Sequence, residues 1–153
     1  MQECFYVYHT MIGAITIASN GTGITALYFG AKENGGKYCR TELIDCAALQ
    51  LYEYLAGKRR QFNVPLAPTG TPFQKLIWQA LQTIPYGETR SYRQIAEQVG
   101  KPGASRAVGM ANHHNPVAII IPCHRVIGSN GALVGYAGGL ALKKYLLALE
   151  NIH

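Results

Sequence analysis

Ser91-Tyr92-Arg93-Gln94-Ile95-Ala96-Glu97-Gln98-Val99-Gly100-Lys101-Pro102-Gly103-Ala104-Ser105-Arg106-Ala107-Val108-Gly109 decides how the second half of this 153-residue chain folds. Ser91 can cap a helix, and Gln94 three residues later completes a capping box. Gly100 closes that helix, Pro102-Gly103 turns the chain, and another helix starts near Ala104. Two short helices joined by a tight, Gly-containing turn read as a helix-turn-helix. That unit occurs in many DNA-binding proteins and, less often, as mere packing.

Upstream, Thr71 is an N-cap, Pro72 suits the first helical position, and Gln74 completes a second capping box. Phe73, Leu76, Ile77, Ala80, Leu81 and Ile84 then form one apolar stripe, with Trp78 beside it and expected in the core. Downstream, Asn130-Gly131 lies between apolar residues within 127–133, which predicts a hairpin, the wing of a winged helix. Residues 135–139 hold three glycines around Tyr136, where a backbone can approach a ligand closely. A last helix is expected over residues 140–149, ending near Glu150.

The first half reads differently. Residues 4–29 pattern as three strands, broken at Met11-Ile12-Gly13 and at Asn20-Gly21-Thr22-Gly23. Residues 41–55 pattern as a helix with Leu43, Ala47, Leu51 and Tyr54 on one face and Gly57 after it. Val64-Pro65-Leu66-Ala67-Pro68-Thr69-Gly70 is a Pro/Gly connector. The expected architecture is α+β, with a small antiparallel sheet and helix in residues 1–70 and a helical winged helix-turn-helix domain in residues 71–153.

An apolar content of 48% fits a globular protein. No apolar run approaches the roughly 20 residues of a membrane helix, so no membrane association is expected. The opening MQECFYVYHT lacks a basic start followed by an apolar stretch, which argues against a secretory leader. Four cysteines without paired spacing argue against a disulfide framework and for a reducing, cytoplasmic compartment. Residues 1–70 carry six Lys/Arg against five Asp/Glu, whereas residues 71–153 carry eight against three. A basic second half fits a polyanionic partner, although a solvated basic surface would look the same.

The chemistry concentrates in Ile119-Ile120-Ile121-Pro122-Cys123-His124-Arg125-Val126. An apolar strand is expected to stop at the proline, with a thiol next and an imidazole and a guanidinium after it. Nearby positive charge raises the thiolate fraction of a cysteine, and the thiolate is the nucleophile. Cys4, Cys39 and Cys46 read as buried, inert cysteines. Cys123 does not, because Pro, His and Arg make poor core neighbours.

Pro122-Cys123-His124-Arg125-Val126 resembles the acceptor-site motif of the O6-alkylguanine-DNA alkyltransferases. Ser91-Tyr92, Ala104-Ser105-Arg106-Ala107-Val108-Gly109, Asn115-Pro116, Gly135-Tyr136-Ala137-Gly138-Gly139 and Leu146-Leu147-Ala148-Leu149-Glu150 fall in that family's order and spacing. The resemblance is strong over residues 71–150 and weak before them. It implies a ribonuclease H-like N-terminal part. It also implies repair of DNA by direct reversal, in which O6-alkylguanine is flipped out of duplex DNA and its alkyl group moves irreversibly to Cys123.

The same resemblance implies roles by position. His124 takes the thiol proton through a water, Glu150 orients and stabilises the imidazolium, and Asn115 orders the loop around the thiol. Tyr92 hydrogen-bonds the leaving base or crowds its phosphate. Arg106 enters the stack in place of the flipped nucleotide, while Arg93, Lys101 and Ser129 meet the DNA backbone. Carbonyls near Cys123 and Val126 read the guanine edge, and Tyr136, Ala137 and Gly138 line the base pocket. Ala137 replaces a hydroxyl-bearing residue of some relatives. Other relatives bind zinc through their N-terminal part; here Asn20 and Thr25 stand at ligand positions, so neither metal nor cofactor is expected. The adjacent His113 and His114 have no assigned role. The expected partner is double-stranded DNA carrying O6-alkylguanine, met by a monomer. Two competing readings are a non-enzymatic DNA-binding winged helix, such as a damage sensor, and a thiol hydrolase using Cys and His.

Overall fold

A computed structural model describes residues 3–33 and 35–150. Met1, Gln2, Asn34 and residues 151–153, which fall within the expected domain limits, lie outside the described residues. The chain divides between Thr69 and Gly70 into two compact units.

The first unit is a four-stranded sheet with one helix. Strands β1 (Cys4–Thr10), β2 (Gly13–Ser19) and β3 (Ile24–Phe29) pair antiparallel in sequence order, and β2 is central. A two-residue strand β4 (Lys37–Tyr38) adds to β1 in parallel, so the sheet order is β3-β2-β1-β4 and the sheet is mixed rather than purely antiparallel. Such a short pairing carries no periodic signal in the sequence. Ile15 and Ile17 of β2 are buried, and so are Thr16 and Ala18, which alternate with them on the other face. A strand covered on both faces accounts for this. Helix α1 (Glu42–Leu55) buries Ile44, Ala47, Leu51 and Tyr54, and Thr41 caps it by accepting from the Ile44 amide at 3.1 Å.

The cysteines of this unit depart from expectation. Cys4 and Cys39 form a disulfide with Cα atoms 5.5 Å apart, and Cys46 is free and exposed. Parallel pairing of Cys4 with Lys37 brings residue 39 beside β1, a proximity that the 35-residue sequence separation hides.

The second unit is mostly helical: α2 (Pro72–Leu81), α3 (Tyr92–Gln98), α4 (Ser105–His113) and α5 (Leu140–Leu149). Both predicted capping boxes are present, at Thr71/Gln74 and at Ser91/Gln94. Each satisfies two otherwise orphaned backbone donors, and a cap of this kind contributes about 1 kcal/mol. Ile77, Trp78, Ala80, Leu81 and Ile84 are buried. Trp78 donates from Nε1 to the Ala111 carbonyl at 2.8 Å, which ties α2 to α4 and confirms it as a core residue. Gly70 is required beneath it, because a Cβ there would meet the indole ring at 2.5 Å. Helices α3 and α4 are joined through a turn in which Gly100 adopts φ +76°.

Two local expectations fail here. Residues 119–121 are not a strand. The Ile120 amide donates to the Ala118 carbonyl at 2.8 Å around Ile119, whose φ is +69°. This is the rare, strained form of the γ-turn, and a β-branched residue there is an outlier. The Cys123 amide then donates to the Ile121 carbonyl at 2.7 Å around Pro122, at φ −80° and ψ 64°, an inverse γ-turn. Residues 127–133 are a turn rather than an antiparallel hairpin. The Gly128 amide bonds the Ala132 carbonyl at 2.8 Å, while β6 (Val126–Ile127) pairs in parallel with β5 (Arg90–Ser91). The Asn-Gly dipeptide makes its turn, but the strand that enters it, Val126–Ile127, is paired with Arg90-Ser91 instead.

Candidate active site

The γ-turns deliver Cys123 into a 3₁₀ turn, Cys123–Arg125, whose three side chains all point into the protein. Cys123 lines a cavity of about 70 Å³ shared with Tyr92, Gly109, Asn112, Asn115, Tyr136 and Ala137, and His113 stands at its rim. Every one of these residues belongs to the second unit. A groove over Glu53, Lys58, Arg59 and Arg60 in the first unit holds no thiol.

The neighbours expected to be poor core residues are buried. His124 has no exposed surface, and Arg125 is 8% exposed. Glu150 makes this tolerable. Its Oε2 accepts from His124 Nε2 at 2.8 Å, its Oε1 accepts from Arg125 Nε at 2.8 Å, and Arg125 Nη2 reaches Oε2 at 3.0 Å. Arg125 Nη1 donates to the Ile84 carbonyl at 2.7 Å. A buried guanidinium bound on two sides by one carboxylate is a charge-assisted pair with fixed geometry. Arg125 therefore belongs to Glu150 rather than to the thiol.

The imidazole tautomer follows from these contacts. A carboxylate only accepts, so Nε2 carries the hydrogen and Nδ1 keeps its lone pair. Nδ1 is buried and has no partner among the described residues. Burial, partly offset by Glu150, lowers the pKa of His124 and favours the neutral ring. The result is an unprotonated nitrogen held adjacent in sequence to a thiol.

The thiol is not activated by its flanking cations. Burial pushes Cys123 up to about 11, with a hydrogen bond from Asn115 and the charge of Lys143 acting the other way. Asn115 is itself fixed, donating from Nδ2 to the Ile121 carbonyl at 2.8 Å and accepting from the Val117 amide at 3.0 Å. Tyr92 donates to the Val134 carbonyl at 3.3 Å, and burial raises its pKa.

Lys143 was missed in the sequence. It is fully buried, and its ammonium donates to the carbonyls of Val126 at 2.6 Å, Val134 at 2.9 Å and Gly135 at 3.3 Å. Three donors meet three acceptors, which joins the acceptor segment to the loop that walls the cavity. Burial brings its pKa down to about 8. The signal was present, because Lys143, Leu146, Leu147 and Glu150 fall at i, i+3, i+4 and i+7. Two ionisable residues thus lie on a buried stripe. Asn112 was missed as well; it is 6% exposed and carried by α4.

The remaining expected residues divide by position. Tyr136 and Ala137 line the cavity, with the Tyr136 ring 6.4 Å from that of His124. Val126 and Gly138 are not among the lining residues, and the Val126 carbonyl already accepts from Lys143. Arg93, Lys101, Arg106 and Ser129 are all exposed. Arg93 reaches Glu97 at only 3.8 Å. Among the described residues no cluster of His, Cys, Asp or Glu could hold a metal ion, and no helix is long and apolar enough to cross a membrane.

Comparison with known proteins accounts for both units. The 6-O-methylguanine DNA methyltransferase ribonuclease-like domain matches residues 5–68, and the DNA binding domain of the same name matches residues 72–152. A methylated-DNA–protein-cysteine methyltransferase of Methanosarcina acetivorans is 49% identical over 152 residues, covering 96% of this chain and 97% of the relative. One from Mycobacterium tuberculosis is 50% identical over 146 residues, covering 92% and 87%. The crystal structure of Mycobacterium tuberculosis OGT in complex with DNA superposes with a TM-score of 0.90 at 47% identity, covering 96% of this chain and 92% of that one. Both halves of the sequence match the two domains of one family in order, and the chain belongs to the 6-O-methylguanine DNA methyltransferase family.

Proposed function

We propose that this protein repairs DNA by taking the alkyl group from the O6 atom of an alkylated guanine onto Cys123, once per molecule. The observation that carries the reading is a buried thiol lining a small cavity, with the next residue a neutral imidazole oriented by Glu150. The second unit would bind DNA and accept the alkyl group, and the first would support it.

In the reaction the Cys123 sulfur attacks the alkyl carbon. A sulfur–carbon bond forms and the carbon–O6 bond breaks. The thiol proton passes to His124 Nδ1, through a water, and the leaving guanine anion is protonated in turn, with Tyr92 as hydrogen-bond donor at the base. Glu150 stabilises the transient imidazolium. Because Cys123 alone titrates far above neutrality, this internal transfer is what makes a thiolate available. The product thioether has no thiol leaving group, so disulfide exchange cannot reverse it.

A base inside a duplex is out of reach of a buried thiol, so the nucleotide must be extruded. Arg106, exposed near the start of α4, would fill the vacated place, and Arg93, Lys101 and Ser129 would meet the backbone. The carbonyls of Cys123 and Val126, with Tyr136, Ala137 and Gly138, would surround the base. All cavity residues come from one unit of one chain, which supports action as a monomer. A cytoplasmic location is proposed because the acceptor thiol must stay reduced. Cys4 and Cys39, by contrast, are paired.

Incubation with duplex DNA labelled on the alkyl group of O6-alkylguanine tests the proposal. Label should move to protein. Binding without transfer would favour a damage sensor, and neither binding nor transfer would favour a thiol hydrolase.

A further inference from the structure

A nucleotide turned out of a duplex stays bonded to its strand. When its base enters the Cys123 cavity, its sugar and its two phosphates remain at the mouth. The mouth therefore has to receive negative charge. Among the described residues none that lines the cavity is Lys or Arg. Tyr92, Asn112, Asn115 and Tyr136 contribute neutral polar groups, and His113 is the one lining side chain that can become a cation.

His113 is also placed for that task. It lies in the last turn of α4, about two turns beyond Arg106 and on the same face. A helix favours positive charge at this end. The side chain is exposed, and its ring meets that of His114 edge to face with centroids 5.3 Å apart. No hydrogen bond or ion pair engages its imidazole among the described residues. The titratable groups that face it across the cavity are Tyr92 of α3, Cys123 of the 3₁₀ turn and Tyr136 of the loop after it. On its own helix they are Arg106 and, at the C-cap, His114. The charged residues of the helices packed on α4 are Lys75 of α2 and Arg93 and Glu97 of α3, and none of them lines the cavity. No carboxylate lines it either, so nothing there competes with a phosphate for this imidazole.

We infer that His113 grips a phosphate of the extruded nucleotide through its imidazolium, so that recognition of the alkylated site strengthens as the solution becomes more acidic. This rests on the alkyl-transfer reading above. Imidazole is the side chain that changes charge between about pH 5 and 8. Pairing the ring with a phosphate takes up a proton, and by linkage affinity then rises as pH falls. In an undamaged duplex the phosphates keep their helical path and none is carried to the mouth. The gain therefore belongs to the alkylated duplex.

The test reads binding rather than transfer, because protonation of His124 acts on transfer in the opposite direction. In a Cys123→Ala background, affinities are measured at pH 6 and pH 8 over a range of salt. Two duplexes of one sequence are compared, with guanine or O6-methylguanine at a single position. The preference for the alkylated duplex should be about threefold or more larger at pH 6, and its salt slope steeper there by about 1, as one added phosphate contact requires. His113→Gln, which keeps a donor but carries no charge, should abolish both changes. His113→Arg should show the larger preference and the steeper slope at both pH values. His114→Gln should behave as the background does. Each preference is a ratio taken on one preparation, so partial unfolding cancels. An equal preference at the two pH values would overturn the inference, and so would a pH dependence that survives in His113→Gln or disappears in His114→Gln. Label transfer by the protein with Cys123 intact is measured alongside. Its absence would overturn the alkyl-transfer reading and this inference together, whereas transfer without the pH-dependent preference overturns the inference alone.

Discussion

His124 and Glu150 stand 2.8 Å apart, Nε2 to Oε2, and neither side chain reaches solvent. The same carboxylate holds Arg125 through two further contacts, so one residue at the end of α5 neutralises the cation beside the acceptor and sets the tautomer of the base. Removing its charge should damage stability and chemistry together. Glu150→Gln strands a buried guanidinium, and loss of one partner of such a pair costs about 3 kcal/mol or more. Trp78 is the sole tryptophan and sits in the second unit, so its fluorescence in urea reports this unit alone. An unchanged midpoint would show that Arg125 is satisfied without Glu150.

The pH dependence of transfer separates internal proton transfer from simple ionisation of the thiol. His124 has its pKa lowered by burial and is neutral at neutral pH, while Cys123 is pushed up to about 11. With both in place, the rate should be flat across neutral pH and fall only on the acid side, as His124 becomes protonated. In His124→Ala the thiol must lose its proton to solvent. The rate should then be much lower at pH 7 and climb about tenfold per pH unit toward the thiol pKa. A variant with the wild-type profile would place the base elsewhere.

Lys143 should act through the loop rather than through the substrate. Lys143→Met leaves the carbonyls of Val126, Val134 and Gly135 without their shared donor. Faster amide exchange at residues 134–137 and transfer slowed by about tenfold or more are expected. Lys143→Arg should not restore either, because a planar guanidinium cannot copy three bonds radiating from one nitrogen. Full activity with a loosened loop would mean that the tether is irrelevant to catalysis.

Arg106 offers a contrast between extrusion and attraction. It is exposed on α4, where it could either fill a vacated stack or contact a phosphate. Filling the stack offsets an unstacking cost of a few kcal/mol. Arg106→Ala should therefore slow repair of duplex DNA markedly and repair of the free modified base much less. Arg106→Lys should recover only part of the loss. Substantial rescue by lysine, with a shallower salt dependence of binding, would identify an ordinary phosphate contact.

How far the sequence could be read depended on whether the signal was local. Helix starts were legible because capping is a four-residue affair, as at Thr71/Gln74 and Ser91/Gln94. The three long strands and α5 were legible from periodicity and breaks. The segment around Cys123 was not, since a strand and a pair of γ-turns share the same apolar composition and differ in the backbone angles at Ile119 and Pro122. The Cys4–Cys39 bond depends on β4, which is too short to leave a pattern. The electrostatics of the site were misjudged for a related reason. Adjacency in sequence assigned Arg125 to the thiol, whereas the fold gives it to Glu150 and brings Lys143 to bear on Cys123 from another helix. Asn112 had no sequence signal of its own, because an asparagine late in a helix ordinarily reads as a surface or terminal residue.

The central claim, that Cys123 is a one-use acceptor, is tested most directly by counting. Protein is incubated with excess duplex carrying O6-methylguanine labelled on the methyl group, and the label is located by mass spectrometry of the digested chain. The account predicts that transfer stops at one methyl group per molecule, all of it on Cys123, and that Cys123→Ala binds the duplex without accepting any. Continued turnover beyond one equivalent, or label on any other residue, would contradict it.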